Sequence, residues 1–386
     1  MNIKQLDDKY VAGTYHRYDV VMEKGCGAKC YDNSGKEYID FGSGIGVNAF
    51  GICDPDWQEA VINQTKKIQH TSNYYYTEPC ALLAELLCQK SGMKKVFFSN
   101  SGAEANECAI KTARKYGTDK NLAKNKIITL KESFHGRTVT TLSATGQEVF
   151  HKSFTPFTEG FLYVEPNNIE ELFAAADENL AAVMFEVVQG EGGVNNLSEE
   201  FLQAIKSVCE KYDALMIADE VQTGNGRCGE LYAYMHYGLK PDIVSTAKGL
   251  GGGLPIGATL FSEKTENVLT LGMHGSTFGG NPIACAGAYS IISRLTDDFL
   301  AEVKEKGEFF RNELKKIKGV KNISGIGLMI GFECDGEASA LAAECFEKGL
   351  LVLTAKHNKM RLLPPLNIEM QDITKGIEIL KGVIEK

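Results

Sequence analysis

The residues with the most chemical reach lie between Leu215 and Gly257, where an acidic pair and one lysine close two apolar runs. Asp219 and Glu220 end the run that begins at Ala214, and Lys248 ends the run from Asp242 to Ala247. A lysine in that place has two readings. Its stem can snorkel and leave the ammonium in water. Alternatively, a desolvated amine has a depressed pKa and attacks carbonyl carbon to form a Schiff base. Asp219 favours the second reading, because a buried carboxylate requires a cationic partner. Gly249, Gly251, Gly252 and Gly253 follow the lysine and leave space for a flat, bulky group.

An acid against a protonated pyridine nitrogen, with an amine against an aldehyde, is the arrangement that holds pyridoxal phosphate and makes it an electron sink. That cofactor is the expectation. The two runs read as buried strands of a largely parallel sheet, and ligands of such sheets bind beyond the carboxyl ends of the strands.

Further segments converge on that edge. Lys95 to Ser99 reads as a strand, followed by a helix that opens at SNSGAEANECAIK. Ser101 and Glu104 have the spacing of a capping box, and the free amides at Ser101, Gly102 and Ala103 suit a phosphate. The strand Lys126 to Leu130 leads into SFHGRT, placing Phe134, His135 and Arg137 at a strand end. Phe134 can stack on a flat ring or simply pack, and Arg137 can fork onto a carboxylate or lie on the surface. Strands at Phe161 to Val164 and Ala181 to Val188 follow, the latter running into EVVQGEGG with Glu186 and Glu191 on the same edge. After Gly257 comes one more strand and then HGSTFGGNP, whose Ser276 and Thr277 offer hydroxyls to a second phosphate clamp.

Elsewhere, AKCYDNSGKEYIDF reads as a hairpin turning at Asp32 to Lys36, and the glycine-spaced GSGIG after it as a close-packed or ligand-facing loop without the frame of a dinucleotide fingerprint. Helices are expected over Trp57 to Gln69, Ser198 to Tyr212 and Ile373 to Ile384, with a long helical stretch from Asn281. Some of Tyr74, Tyr75 and Tyr76 line a pocket or a subunit contact, or all three anchor an ordinary loop. A composition shift near residue 285 marks a second domain. The expected organisation is a segment 1–60 that joins the small domain, a large domain 61–285 and a C-terminal small domain 286–386.

The 386 residues carry a net charge of −9 without a basic run, which argues against nucleic acid. No apolar run reaches membrane-spanning length. The opening MNIKQLDDKYVAGTY has no apolar h-region, so no secretory signal is expected. Eleven cysteines are scattered singly apart from Cys26 and Cys30, which suits buried thiols in a reducing cytoplasm better than disulfides or a metal site.

Taken together, GSGIGVNAFG, SNYYYTEP, VFFSNSGAEANECAIKTARKYG, SFHGRT, QGEGGV, DEVQTGNGR, PDIVSTAKGLGGGLPIGA and HGSTFGGNP resemble the class III, fold-type-I pyridoxal-phosphate aminotransferases, and within them the acetylornithine aminotransferase family. The resemblance runs from about Thr14 to Pro365. It implies an α/β fold, with a mostly parallel seven-stranded sheet between helices and a smaller α+β domain built from both termini. It puts the cofactor lysine at Lys248 and the pyridinium partner at Asp219. Gln222 would bond the phenolic oxygen, Val221 and Phe134 would cover the ring faces, and Gly102 and Ala103 would hold the phosphate. Thr277, with Ser276, would come from the partner subunit of a homodimer. Arg137 would clamp the substrate α-carboxylate in a pocket shaped near Tyr15, with Glu186 alongside. Glu191 and Arg361 would act as a switch, Glu191 covering Arg361 until the carboxylate of glutamate or 2-oxoglutarate arrives. The implied reaction is transamination of N2-acetylornithine with 2-oxoglutarate, in arginine biosynthesis, the alternative being another ω-aminotransferase acting on ornithine, succinylornithine or 4-aminobutyrate. In one departure, Val187 stands where such sequences usually carry proline.

Overall fold

The computed structural model describes residues 2–386. Its centre is a seven-stranded sheet in the order Lys95–Ser99, Gly257–Phe261, Ile243–Thr246, Leu215–Asp219, Leu180–Phe185, Lys126–Leu130 and Phe161–Val164. Only Gly257–Phe261 runs against the others. Leu180–Phe185 and Leu215–Asp219 are buried along their whole length. Such continuous apolar runs are the mark of parallel strands covered on both faces.

Side-chain alternation assigns the faces. Leu215 and Ile217 pack with Cys108, Ala109, Ile110 and Ala113 of the helix Gly102–Thr118. Met216 and Ala218 point the other way, into the core that includes Phe201, Leu202 and Ile205 of the helix Glu199–Lys211. Ser198 caps that second helix by accepting from Phe201 N at 3.2 Å. Val187 is buried in the same core, and its carbonyl accepts from Leu197 N at 3.0 Å.

The hairpin of Lys29–Asp32 and Glu37–Asp40 turns where the sequence places it, and its second strand pairs in parallel with Leu350–Leu351 near the other terminus. A four-stranded sheet of Val320–Ile326, Met329–Cys334, Lys359–Leu362 and Leu353–Ala355 completes this part. The borders expected at 60/61 and 285/286 fall inside the helices Pro55–Thr65 and Pro282–Ser293, which pack against each other, the second also against Glu78–Ser91. The helix expected from Trp57 starts two residues earlier, since Asp54 accepts from Trp57 N at 2.9 Å and Pro55 occupies the first turn. Pattern reading did not single out Glu78–Ser91. No helix of the described residues is long and apolar enough to cross a membrane.

Ile217 lies at the centre of the sheet, fully buried and two residues before Asp219. Ile217→Ala should lower the unfolding free energy by about 3 kcal/mol, the cost of lost transfer energy plus an unfilled cavity. A urea titration reads this, and an unchanged midpoint would contradict this packing.

Candidate active site

At the carboxyl edge of the sheet a cavity of about 410 Å³ is lined by residues from most of the segments expected there. Asp219 shares a face with Ile217, so it points toward the helix Gly102–Thr118. There its Oδ2 accepts from Asn106 Nδ2 at 2.7 Å and lies 2.7 Å from His135 Nδ1, while Oδ1 accepts from Val221 N at 3.0 Å. Glu220 faces the opposite layer. Its oxygens accept from the amides of Ala233 and Tyr234, both at 2.9 Å, and from Thr223 Oγ1 at 2.5 Å. Burial pushes that carboxyl up to about 7. The adjacent acids are therefore divided: one serves the cavity and the other pins the loop beneath it.

Lys248 follows Ile243–Thr246 and sits at φ +46, a left-handed conformation that non-glycine residues adopt only where surroundings enforce it. The short turn Lys248–Leu250 and the glycines after it are braced by Trp57, whose indole donates to Gly251 O at 3.0 Å. Burial lowers the Lys248 pKa, with Arg361 acting in the same direction against the pull of Glu191, Asp219 and Glu186. A desolvated amine held below its ordinary pKa is a nucleophile and a proton carrier.

At the far end of the cavity, Ser101 caps the helix by accepting from Glu104 N at 3.2 Å. The reciprocal arm differs from the expected capping box. Glu104 Oε2 takes the Asn100 amide at 2.7 Å in place of that of Ser101. The amides of Ser101, Gly102 and Ala103 are thus left facing the cavity, with the positive helix end behind them. Only glycine fits at 102, because a Cβ there would lie 2.7 Å from Val221 Cγ1.

Glu191 and Arg361 form an ion pair, Nη1 to Oε1 at 2.7 Å, and Arg361 Nη1 also donates to Gln222 Oε1 at 3.2 Å. Desolvation opposes ionisation of Glu191, yet the guanidinium outweighs it and holds the carboxyl below its usual range. Glu186 is buried and accepts from Phe134 N at 2.9 Å. Burial raises it to about 7, moderated by His135. Burial alone would lower the His135 pKa, but the Asp219 carboxylate overrides that and raises it. The Arg137 guanidinium lies 4.3 Å above the Phe150 ring and 5.3 Å from that of Phe134.

Ser101, Gly102, Ala103, Phe134, Arg137, Glu186, Glu191, Asp219, Val221, Gln222 and Lys248 all line the cavity, with Arg361 held behind Glu191. Three expected residues do not reach it within one chain. Tyr15 is 76 % exposed in an irregular N-terminal segment, with Arg17 5.9 Å from its ring. Ser276 and Thr277 sit on an outward-facing loop. Sequence reasoning gave no role to Asn106 or to His135, the partners of Asp219. Asn106 was findable, since it lies four residues past Gly102 and hence on the same helix face. His135 stood in SFHGRT without a sign of what it would touch.

These residues fit pyridoxal phosphate. The cavity carries a fixed carboxylate, a neutral-leaning amine and a set of free helix-end amides. In addition, His135 Nε2 and Asn106 Oδ1 are buried without partners, polar capacity that a dry interior leaves open only at cost.

The chain matches the family Aminotransferase class-III over residues 10–384. It is 50% identical to the acetylornithine aminotransferase of Haemophilus ducreyi, with 100% of this chain and 98% of that protein aligned. It is 45% identical to the acetylornithine aminotransferase of Aquifex aeolicus, over 97% of this chain and 100% of that one. Among solved structures, the ornithine aminotransferase from Toxoplasma gondii superposes with a TM-score of 0.94 at 32% identity, covering 99% of this chain and 94% of that chain. The N-acetylornithine aminotransferase from Stenotrophomonas maltophilia does so at 0.86 and 35%, covering 99% and 98%. One backbone thus serves enzymes named for acylated and for free ornithine, so substrate choice rests on side chains. Family match, full-length identity and the cavity agree: this chain belongs to the class-III aminotransferases, enzymes that use pyridoxal phosphate.

Proposed function

We propose that the chain transfers the δ-amino group of N2-acetylornithine to 2-oxoglutarate, as a cytoplasmic homodimer in arginine biosynthesis. One observation carries the preference for an acylated substrate. Beside the cofactor cavity lies a second cavity of about 540 Å³, lined by Arg137, Val149, Phe150, Lys248 and Lys356 among others, in which Glu191 is the only carboxylate among the described residues. Glu191 is engaged by Arg361, and the nearby Glu132 is engaged by Lys356 at 2.7 Å. A free α-ammonium would meet cations there, whereas an acylated nitrogen requires no counter-charge.

Pyridoxal phosphate, when bound, supplies the electron sink for the substrate carbon that loses its proton. Asp219, fixed by Asn106 and His135, would hold the ring nitrogen in its protonated form. Phe134 and Val221, both lining the cavity, would cover the ring. Gln222 Nε2, whose one contact here is 3.5 Å from Glu191, is free to donate to the phenolic oxygen. The Ser101, Gly102 and Ala103 amides would hold the phosphate, joined by Ser276 and Thr277 from a second copy of the chain. Lys248 Nζ, whose proton burial disfavours, would take up the proton that the substrate carbon loses. Arg137 forks onto the α-carboxylate of acetylornithine. Glu191 keeps Arg361 covered during this half and releases it to a carboxylate of glutamate or 2-oxoglutarate in the other.

The subunit contact is supported by Tyr74, Tyr75, Tyr76, Leu271 and Phe278, large side chains left exposed around the Ser276 loop. Eleven unpaired cysteines suit a reducing compartment. The competing reading is an ornithine aminotransferase, since proteins so named share this backbone.

Steady-state kinetics with both amines separate the readings. We expect acetylornithine to have the higher kcat/KM, and a tenfold preference for ornithine, about 1.4 kcal/mol at the transition state, would reverse the assignment. Lys248→Ala should abolish turnover, with a loss of roughly a thousandfold or more, while the protein still binds cofactor. Arg361→Ala should slow the glutamate half-reaction by about a hundredfold, the worth of a charge-assisted fork, and leave the acetylornithine half-reaction within about threefold. Single-turnover absorbance follows each half, and equal damage to both would remove Arg361 from the switch.

A further inference from the structure

The segment Met273 to Gly279 has no regular secondary structure, yet separate parts of the chain hold it. Lys111 Nζ donates to Met273 O and to His274 Nδ1, both at 2.9 Å. The His274 ring packs on Phe97 at 4.7 Å between centroids. From the other side, Asn73 Nδ2 donates to Ser276 O and to Gly279 O, both at 2.9 Å. Inside the loop, Ser276 Oγ accepts from Gly279 N at 2.9 Å and from Asn100 Nδ2 at 3.2 Å. Thr277 is left at the exposed crest.

Lys111 and Asn73 do not line the cavity of their own chain. Lys111 belongs to the helix Gly102–Thr118, whose first amides face that cavity. An ammonium can only donate, so His274 must offer a lone pair at Nδ1 and stay neutral. Burial and the Lys111 charge both push its pKa down, in keeping with that form. A loop fixed before it meets a ligand loses less conformational freedom on binding.

We infer that Lys111 and Asn73 are positioning residues for the neighbouring subunit's site, holding Ser276 and Thr277 in the shape they present to the partner's cofactor phosphate. The inference rests on the two-subunit site proposed above. One helix then supports both centres: its N-terminus serves its own site, and Lys111 braces the loop that serves the other.

The test is the dissociation constant of pyridoxal phosphate, titrated into cofactor-stripped dimers and read from the visible absorbance that only Lys248-bound cofactor gives. Lys111→Met, which keeps the length of the stem, and Asn73→Ala should each weaken binding about tenfold, and Lys111→Arg should restore it. Two hybrid dimers locate the effect. In the first, Lys111→Met and Lys248→Ala share one chain and the other is unaltered; the remaining site is then served by the unbraced loop, and its constant should rise about tenfold. In the second, Lys111→Met is in the chain that keeps Lys248 and Lys248→Ala is in the other; the constant should stay within about twofold. Unchanged constants in both hybrids would overturn the brace. A rise confined to the second would overturn it as well, by placing the loop in its own chain's site. Thr277→Val in the same hybrids tests the two-subunit reading separately: weakening in the first hybrid only sustains that reading even where the brace fails.

Discussion

The site depends on the cost of taking charge out of water. Asp219, Glu186, Glu191, Lys248 and Arg361 converge in a largely dry space, where an unmatched ion is unstable by several kcal/mol. The arrangement matches almost all of them. Glu191 is paired with Arg361, Asp219 is held by Asn106, His135 and a backbone amide, and Glu186 is pushed toward its neutral form with the Phe134 amide as donor. What remains is an amine whose own burial disfavours its proton. The interior thereby yields a reactive Lys248 without a dedicated base beside it.

Sheet geometry makes this possible. Asp219 is in register with Ser245 on the next strand, three residues before Lys248, so acid and amine leave adjacent strands at one edge. The reversal of side chains along a strand then separates Asp219 from Glu220. The second acid anchors the Ala233 and Tyr234 amides and so stabilises the segment that carries Val221 and Gln222. Asp219 and Glu220 look alike in sequence and do unlike work, because one residue of advance turns a side chain to the other layer.

Arg361 shows how distant chain segments complete the centre. It lies on Lys359–Leu362 of the C-terminal sheet, and the next residues are tied to the N-terminal part, Leu363 N donating to Phe41 O at 2.7 Å and Ser43 Oγ to Leu363 O at 2.5 Å. The parallel pairing of Ile39 with Leu350 closes the same link. A rigidly seated guanidinium leaves Glu191, in a glycine-rich segment, as the freer member of the pair. Gly190 is packed so closely on Gln222 that a Cβ would lie 2.1 Å from Oε1.

Local chemistry was written into the sequence. The strand ends at Asp219 and Lys248, the helix opening at Gly102, the hairpin at Asp32 to Lys36 and the Ser198 cap follow from apolar runs, glycines and short polar side chains, whose preferences act over a few residues. The contacts that give the site its character span far longer separations, and no local preference encodes them. Sequence could not say that His135 would meet Asp219, that Glu104 would reach Asn100, or that Glu220 would turn away. Nor could it say that Pro55–Thr65 would pack on Pro282–Ser293, segments far apart along the chain. Those outcomes were decided when the sheet formed and the layers closed on it, because burial and directional hydrogen bonds act between neighbours in space, whatever their distance along the chain.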